Sequence, residues 1–474
     1  MNPSTPRVQT TLHGQGARAS VVRVCAILAA VLLAMWPALL NRYPLLYADS
    51  LSYLGEGLPI LRALRHRPVT FIAMRSEFYS LGIFAFHWGI SPWPVVVLQA
   101  LLTAYVVWLV TRAFVAKRTV TKYLILMVLL SGLTSMSWYV SLVMPDILGP
   151  ILYLSICLLV FAPETLSKRE HWAVVLIAWF GIVSHSTHFV LTLWILAILA
   201  ALLLFKSRFM QHRGRALGEI ALLVAIAAVV QVALHTYLYH EPSLNGRRLP
   251  YLSARFIADG PEKWYLQQHC ATEQWVLCAN VRNLPDNDDE FIWGENTIWT
   301  KSSPADQQLI LKQETPLLLA TLRTYPRQQL AISLCSFVQQ LNDFGVNDFD
   351  NNTWMEESIE ETMPGAHARY ERSLQARNVV PSNFFTQIQR WPVYAAILVL
   401  IASLPWLWRT RQIRFQGFLI VIIPTLIANA FITAVASEVD SRFQSRVVWL
   451  LPLLAGLILF CWRDARSEPL TAGS

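Results

Sequence analysis

The residues of this sequence that could do chemistry are ionisable side chains that stand at the ends of long apolar runs. An ionisable group at membrane depth is costly to keep, so each is a candidate functional group. The set carries both signs of charge, as a site for an anionic substrate requires. Its members are Asp49, Asp146, His185, His188, Asp440, Arg442 and Arg446.

Carboxylate and guanidinium groups suggest a definite division of labour. A carboxylate within hydrogen-bond reach of a hydroxyl can take its proton, and Asp49 is our candidate general base. The planar fork of a guanidinium suits phosphate oxygens, so Arg442 and Arg446, with Arg75 behind them, are candidates to stabilise a phosphate. Tyr53 follows Asp49 by four positions, so both share one face if this stretch is helical.

Several of these residues also have purely structural interpretations, and the sequence leaves them open. Asp146 follows Pro145 and would suit the start of a helix. His185 would serve equally well as a hydrogen-bonded interface histidine. Arg446 would reach lipid headgroups by extending its apolar stem along a helix. The convergence of the set on one face of the membrane is what favours a common site.

The elements that must position these residues are membrane-spanning helices. Of the 474 residues, 55% are hydrophobic and only 14% are charged, which argues against a soluble enzyme. The apolar residues fall in runs of about 20, the length that crosses a bilayer. The predicted spans are residues 21–41, 92–114, 123–141, 145–161, 171–185, 188–205, 217–237, 391–408, 415–436 and 446–462.

Charge in the connections predicts the topology. Lys and Arg cluster in alternate connections, for example at 112–122, 206–215 and 409–414, and the positive-inside rule places these on the cytoplasmic side. The tails 1–20 and 463–474 then lie in the cytoplasm, and the loops 42–91 and 238–390 lie outside. The same clustering accounts for the net charge of +8 without a nucleic-acid partner. We therefore expect a multi-pass membrane protein.

The second outer segment, residues 238–390, is polar enough for a folded extracytoplasmic domain that mixes helices with loops. Cys270 and Cys278 lie within it, where an oxidising compartment permits a disulfide. His269 is adjacent, but no further ligands stand at a spacing typical of zinc, so we predict no metal there. We expect Cys335 to be unpaired and buried.

Three stretches resemble the GT-C superfamily of membrane glycosyltransferases. They are the Asp49 loop after the first span, the passage MRSEFYSLGIF from a juxtamembrane Arg-x-x-x-Tyr (Arg75, Tyr79) into the second span, and DSRFQSRVVWLLPLL before the last. The resemblance implies a GT-C-like fold, a polyprenyl-phosphate sugar as donor, and inversion in a single displacement. The acceptor would be a glycan, a lipid or a protein of the cell envelope. Residues expected at the substrate are Tyr53, Arg75, Tyr79, Asp146, His185, His188, Arg442 and Arg446.

The Asp49 loop departs from the commonest pattern of that superfamily. Many relatives have two neighbouring acids, whereas this loop has the single acid of Asp49-Ser50. No cofactor is predicted with certainty, and the use of a divalent metal stays open.

Two other classes of function also stay open. A transporter or flippase for a lipid or polar solute would use helices interrupted at Pro145, Pro150 or Pro424, although no inverted repeat is visible in the sequence. A non-catalytic partner in envelope assembly is the third class.

Overall fold

The computed structural model describes residues 8–67, 75–211, 213–246, 249–347, 349–351 and 353–466. Helices form the regular structure of these residues, with no strand and with one isolated bridge between Leu45 and Leu142. The first eleven helices are α1 (Val8–Ala34), α2 (Trp36–Asn41), α3 (Ala48–Ala63), α4 (Glu77–His87), α5 (Trp93–Phe114), α6 (Thr119–Leu133), α7 (Met136–Ser141), α8 (Leu148–Phe161), α9 (Lys168–Val183), α10 (Ser186–Leu204) and α11 (Gly214–Tyr239).

The remaining helices run from the second predicted outer segment to the C-terminal part. They are α12 (Tyr251–Asp259), α13 (Pro261–His269), α14 (Asp288–Trp293), α15 (Ile298–Lys301), α16 (Pro304–Thr324), α17 (Pro326–Asn342), α18 (Thr353–Thr362), α19 (Pro364–Tyr370), α20 (Ser382–Arg409), α21 (Ile413–Ala436), α22 (Ser441–Val448) and α23 (Leu450–Arg466). Short 3-10 turns occupy Pro145–Ile147, Pro163–Thr165 and Val276–Asn283.

The chain is an α-helical membrane protein. Within the described residues, six helical segments are long and apolar enough to cross a membrane: α5, α10, α11, α20, α21, and α22 continued by α23. Each coincides with a predicted span. The other four predicted spans fall on shorter apolar stretches, which are Ser20–Ala34 within α1, Thr119–Leu133, Pro145–Phe161 and α9.

Two of the predicted spans are interrupted, because a helix ends inside each of them. The run 21–41 divides at Met35, because Pro37 has no N–H to continue the hydrogen-bond ladder of α1. The run 123–141 divides at Thr134, which has extended backbone, and the Thr134 hydroxyl donates to the carbonyl of Leu130. These breaks turn α2 and α7 into short separate helices near one end of the bundle.

The segment 238–390 divides into parts that pack differently. Residues 249–325 form a small helical domain with its own apolar core, which includes Leu266, Phe291 and Leu317. A disulfide between Cys270 and Cys278 closes a loop of this domain, with 5.4 Å between the Cα atoms. Val346, Phe349, Ile359 and Tyr370 instead join the core of the helix bundle.

Charged pairs mark the end of the bundle that is remote from the small domain. Arg112 pairs with Glu170 at 2.6 Å, Lys122 with Asp464 at 2.5 Å, and Arg414 with Glu164 at 2.5 Å. We call this the basic end, and the opposite end, which carries Asp49 and Arg442, the site end.

Candidate functional site

The site begins at the first turn of α3. The backbone N–H of Tyr47 donates to the Ser50 hydroxyl at 2.9 Å, which fixes the start of the helix. Asp49 lies in this first turn, where the helix dipole favours a negative charge. Its side chain keeps 19% of its surface exposed, so the carboxylate is held in place and still accessible.

Two arginines from distant parts of the sequence meet the Asp49 carboxylate. Arg75 forms an ion pair with Asp49 Oδ1, and Arg442 Nη1 lies 3.9 Å from Asp49 Oδ2. Arg75 also donates to the Tyr251 hydroxyl at 2.9 Å and lies 5.5 Å from the centre of the Trp293 ring. Because Tyr251 and Trp293 belong to the small helical domain, that domain forms one wall of the site.

Arg442 is the most unusual side chain of the site. Its backbone N–H donates to Asp440, the N-cap of α22, and its guanidinium lies 4.0 Å from the centre of the Tyr47 ring, a cation–π contact. Its Nε is 3.8 Å from Asp440 Oδ2, which is beyond hydrogen-bond reach, as is the 3.9 Å to Asp49. Within the described residues, Nε and Nη1 of Arg442 are buried and have no hydrogen-bond partner.

Arg446 lies one helical turn beyond Arg442 and is bound entirely to protein groups. Its Nη1 donates to Asp146 Oδ1 at 3.2 Å and its Nη2 to Asn429 Oδ1 at 3.1 Å. The side chains of Arg446 and Asp146 are each only 2% exposed. The pair therefore ties the turn before α8 to α21 and α22. Asp146 does not cap a helix, since its other oxygen has no partner in the described residues.

Tyr53 and Tyr79 lie beneath the site and pack against each other. Their ring centres are 4.9 Å apart in an edge-to-face arrangement, and both residues are 1% exposed. The Tyr79 hydroxyl donates to Gln99 Oε1 at 2.7 Å. Both predicted substrate residues are thus buried and packed against each other.

The two histidines lie at the start of α10, with ring centres 5.2 Å apart. His185 Nδ1 accepts the backbone N–H of Thr187 at 3.2 Å, so His185 caps this helix. His188 Nδ1 lies 3.0 Å from the carbonyl oxygen of Gly181, and its ring packs on Gly149, where a Cβ would come within 2.8 Å of Nε2. The glycine thus permits this close approach.

Two carboxyl groups that we did not predict lie in the electrostatic surroundings of Arg442. Burial, and then the charges of Asp289 and Asp440, raise the pKa of Glu438 to about 8, while Arg442 acts in the opposite direction. Burial also raises the pKa of Asp289, followed by the charge of Asp288. Glu438 stands two positions before Asp440 in the sequence, which was a usable signal, whereas nothing in the sequence linked Asp289 to this place.

The structure thus brings Asp49, Arg75 and Arg442 together, and it places Asp146 and Arg446 in a second, more deeply buried pair. Tyr47, Tyr251 and Trp293 complete the surroundings and were not predicted. Among the described residues, no group of three or more His, Cys, Asp or Glu side chains is arranged to hold a metal ion.

Comparison with known proteins adds no family to this description. No family model, no curated protein and no solved structure matches the chain.

Proposed function

We propose that the chain transfers a sugar from a polyprenyl-phosphate donor to a hydroxyl of an envelope acceptor, at the outer face of a bacterial inner membrane. The observation that carries this proposal is the burial of the Arg442 guanidinium without a full set of hydrogen-bond acceptors. Two of its nitrogens are buried without hydrogen-bond acceptors, next to the Asp49 carboxylate. Buried polar groups are nearly always paired, so unpaired guanidinium donors suit an anionic ligand.

The chemistry requires a general base next to a side chain that binds the donor phosphate. Asp49 and Arg442 supply these two groups. Asp49 takes the proton of the acceptor hydroxyl while that oxygen forms a bond to the anomeric carbon of the donor. The bond from the anomeric carbon to the phosphate oxygen breaks, and its electron pair leaves with the polyprenyl phosphate. Arg442 and Arg75 stabilise the charge that develops on the phosphate. A single displacement inverts the anomeric configuration.

Arg75 links donor binding to the small helical domain. Its guanidinium is shared between Asp49 and Tyr251, and it lies over the Trp293 ring. A phosphate bound at Arg442 would compete with the Asp49 carboxylate for Arg75 and Arg442. The carboxylate would then be free to accept the proton of the acceptor hydroxyl. Arg446, which is bound to Asp146 and Asn429, keeps the helix that carries Arg442 in position.

The orientation in the membrane follows from the charged ends of the bundle. Arg112, Lys122 and Arg414 lie at the basic end, and the positive-inside rule assigns that end to the cytoplasm. Both tails then lie in the cytoplasm, and Asp49 faces the outer side. A lipid-linked donor needs no ATP there, because its anomeric carbon is already activated.

The experiment is transfer of a labelled sugar from a polyprenyl phosphate by the full chain in reconstituted vesicles. Asp49→Asn keeps the size of the side chain and removes the base, so turnover should fall by about 10²–10⁴-fold. The matched control is Asp464→Asn, another ion-paired aspartate, which lies at the basic end and should keep wild-type turnover. Arg442→Ala should lower donor use, and Arg442→Lys should restore only part of the loss.

Wild-type turnover in Asp49→Asn would remove Asp49 from the mechanism. Movement of the lipid across the bilayer without cleavage of the sugar–phosphate bond would favour a flippase instead.

A further inference from the structure

Helix α17 has its polar and apolar faces reversed with respect to water. The side chains that it buries are polar: Gln329, Ser333, Ser336 and Gln340. On its other face it exposes Leu330 at 61%, Leu334 at 47% and Val338 at 56% of their surface. Among the polar side chains that it exposes, Arg327, Gln328 and Gln339 stand toward the two ends of the helix. An amphipathic helix of a water-soluble domain has the opposite arrangement.

The buried polar face of α17 is hydrogen-bonded to the small domain and to the loop before α22. Gln329 donates to Asp259 at 2.7 Å, and Arg255 donates to the Ser336 hydroxyl at 2.9 Å. Gln340 donates to the carbonyl of Asp440 at 2.8 Å and accepts the Asp440 backbone N–H at 3.0 Å. This face therefore holds the loop that presents Arg442.

The exposed apolar face lies beside a membrane-spanning helix. Helix α17 packs against α21, and the rings of Phe337 and Phe431 meet edge to face with 5.7 Å between centres. Phe431 precedes the last residue of α21, Ala436, by five positions, which is about 7–8 Å along the helix axis. Phe431 and Ile427 are each 45% exposed on this span, so the apolar surface of α17 continues that of α21.

We propose that the apolar face of α17, formed by Leu330, Leu334 and Val338, contacts the acyl chains of the leaflet on the site side. A continuous exposed apolar surface on a protein marks an interaction site, and lipid is the partner that the neighbouring span α21 already requires. Helix α17 is then a wall with hydrocarbon on one side and the Asp440 loop on the other. This inference stands independently of the proposed glycosyl transfer.

A natural cysteine lies on this face and offers a direct probe. Our sequence prediction that Cys335 is buried is wrong, because the residue faces outward next to Leu334 and is exposed. Cys157 is buried and Cys270 is bridged to Cys278, so replacing Cys25 and Cys461 by Ser leaves Cys335 as the accessible thiol.

The test attaches a nitroxide spin label to Cys335 of the full chain in vesicles of phosphatidylethanolamine and phosphatidylglycerol. Collisions with oxygen report hydrocarbon, and collisions with a water-soluble nickel chelate report water. The control for lipid is a label at Val229→Cys, on span α11 and 67% exposed, and the control for water is a label at Glu295→Cys in the small domain. Both controls carry Cys335→Ser.

We expect oxygen accessibility at Cys335 to match that at Val229→Cys, and nickel accessibility to be several-fold below that at Glu295→Cys. Nickel accessibility equal to that at Glu295→Cys would overturn the proposal, because the face would then meet water. Low accessibility to both reagents would also overturn it, because a second copy or a partner protein would cover the face. If the label at Cys335 disturbs folding, Val338→Cys in the Cys335→Ser background gives the same discrimination.

Discussion

Breaking the buried pair of Asp146 and Arg446 should destabilise the fold strongly. The two side chains are 3.2 Å apart and each is 2% exposed, so loss of one partner leaves the other as an uncompensated buried charge. Arg446→Met keeps the apolar stem and removes the guanidinium, and we expect it to lower the free energy of unfolding by about 3–5 kcal/mol. Asp146→Leu should cost a similar amount for the same reason.

The double variant, Asp146→Leu with Arg446→Met, distinguishes a buried pair from two independent contacts. Both charges are then absent, and the remaining loss is the donor to Asn429 Oδ1, worth about 1–3 kcal/mol. The double variant should therefore be far more stable than the roughly 6–10 kcal/mol sum of the two single losses implies.

The assay is helix content during titration of the purified protein with a denaturing detergent in mixed micelles. The matched control is the pair of Arg414 and Glu164, whose side chains are 42% and 51% exposed. Its single variants should cost about 0–1 kcal/mol. The reasoning would be refuted if Arg446→Met lowered the free energy of unfolding by less than about 1 kcal/mol, or if the double variant lost as much as the two single variants together.

Three further changes have definite expected results. Because burial and then Asp289 and Asp440 raise the pKa of Glu438 from 4.5 to about 8, the folded chain retains a proton that the unfolded chain has released. Stability should fall as pH rises from about 4.5 to about 8, and Glu438→Gln should flatten that fall in thermal melts recorded at several pH values. The Cys270–Cys278 bridge has a sequence separation of 8, so its reduction should destabilise the small domain by about 2.5 kcal/mol in the chain-entropy model. Urea-dependent proteolysis measures this loss, and an unchanged proteolysis profile after reduction would contradict it. Tyr251→Phe removes an acceptor of Arg75 and should weaken donor use several-fold, measured as KM for the donor, with an unchanged KM as the contrary result.

Apolar runs were sufficient to predict the helical membrane architecture, because the length and composition of a span are local properties of the sequence. The interruptions at Met35 and Thr134 were not predicted. The first depends on a proline inside an apolar run, and the second on a hydroxyl that returns to its own helix. Hydropathy alone registers neither.

The reversed helix α17 shows what a polarity pattern cannot decide. Leu330 and Leu334 on one face, with Gln329 and Ser333 on the other, predict an amphipathic helix. Whether the apolar face points inward or outward depends on the neighbouring element, α21, which is distant in the sequence. The exposure of Cys335 follows from the outward orientation of this face.

The part of the site that could be predicted is the part that depends on charge and on the predicted side of the membrane. Asp49 and Arg442 could be brought together because each stands near an end of an apolar run on the same side, and Arg75 because the predicted outer loop 42–91 lies on that side too. The separation of Arg446 from Arg442 into a structural role could not be predicted, since it depends on Asn429 as a partner. Tyr251 was not predicted because aromatic residues in a polar segment have many equivalent uses.

The most direct test of the central claim is the fate of the donor phosphate. Phosphorus NMR of vesicles that contain the wild-type chain, a polyprenyl-phosphate sugar and an acceptor hydroxyl would follow this group. The account predicts that the phosphodiester signal of the donor is converted to the phosphomonoester of polyprenyl phosphate, and that Asp49→Asn abolishes the conversion while Asp464→Asn does not. A donor signal that persists with the folded wild-type chain across the candidate acceptors, or a conversion that Asp49→Asn leaves intact, would contradict it.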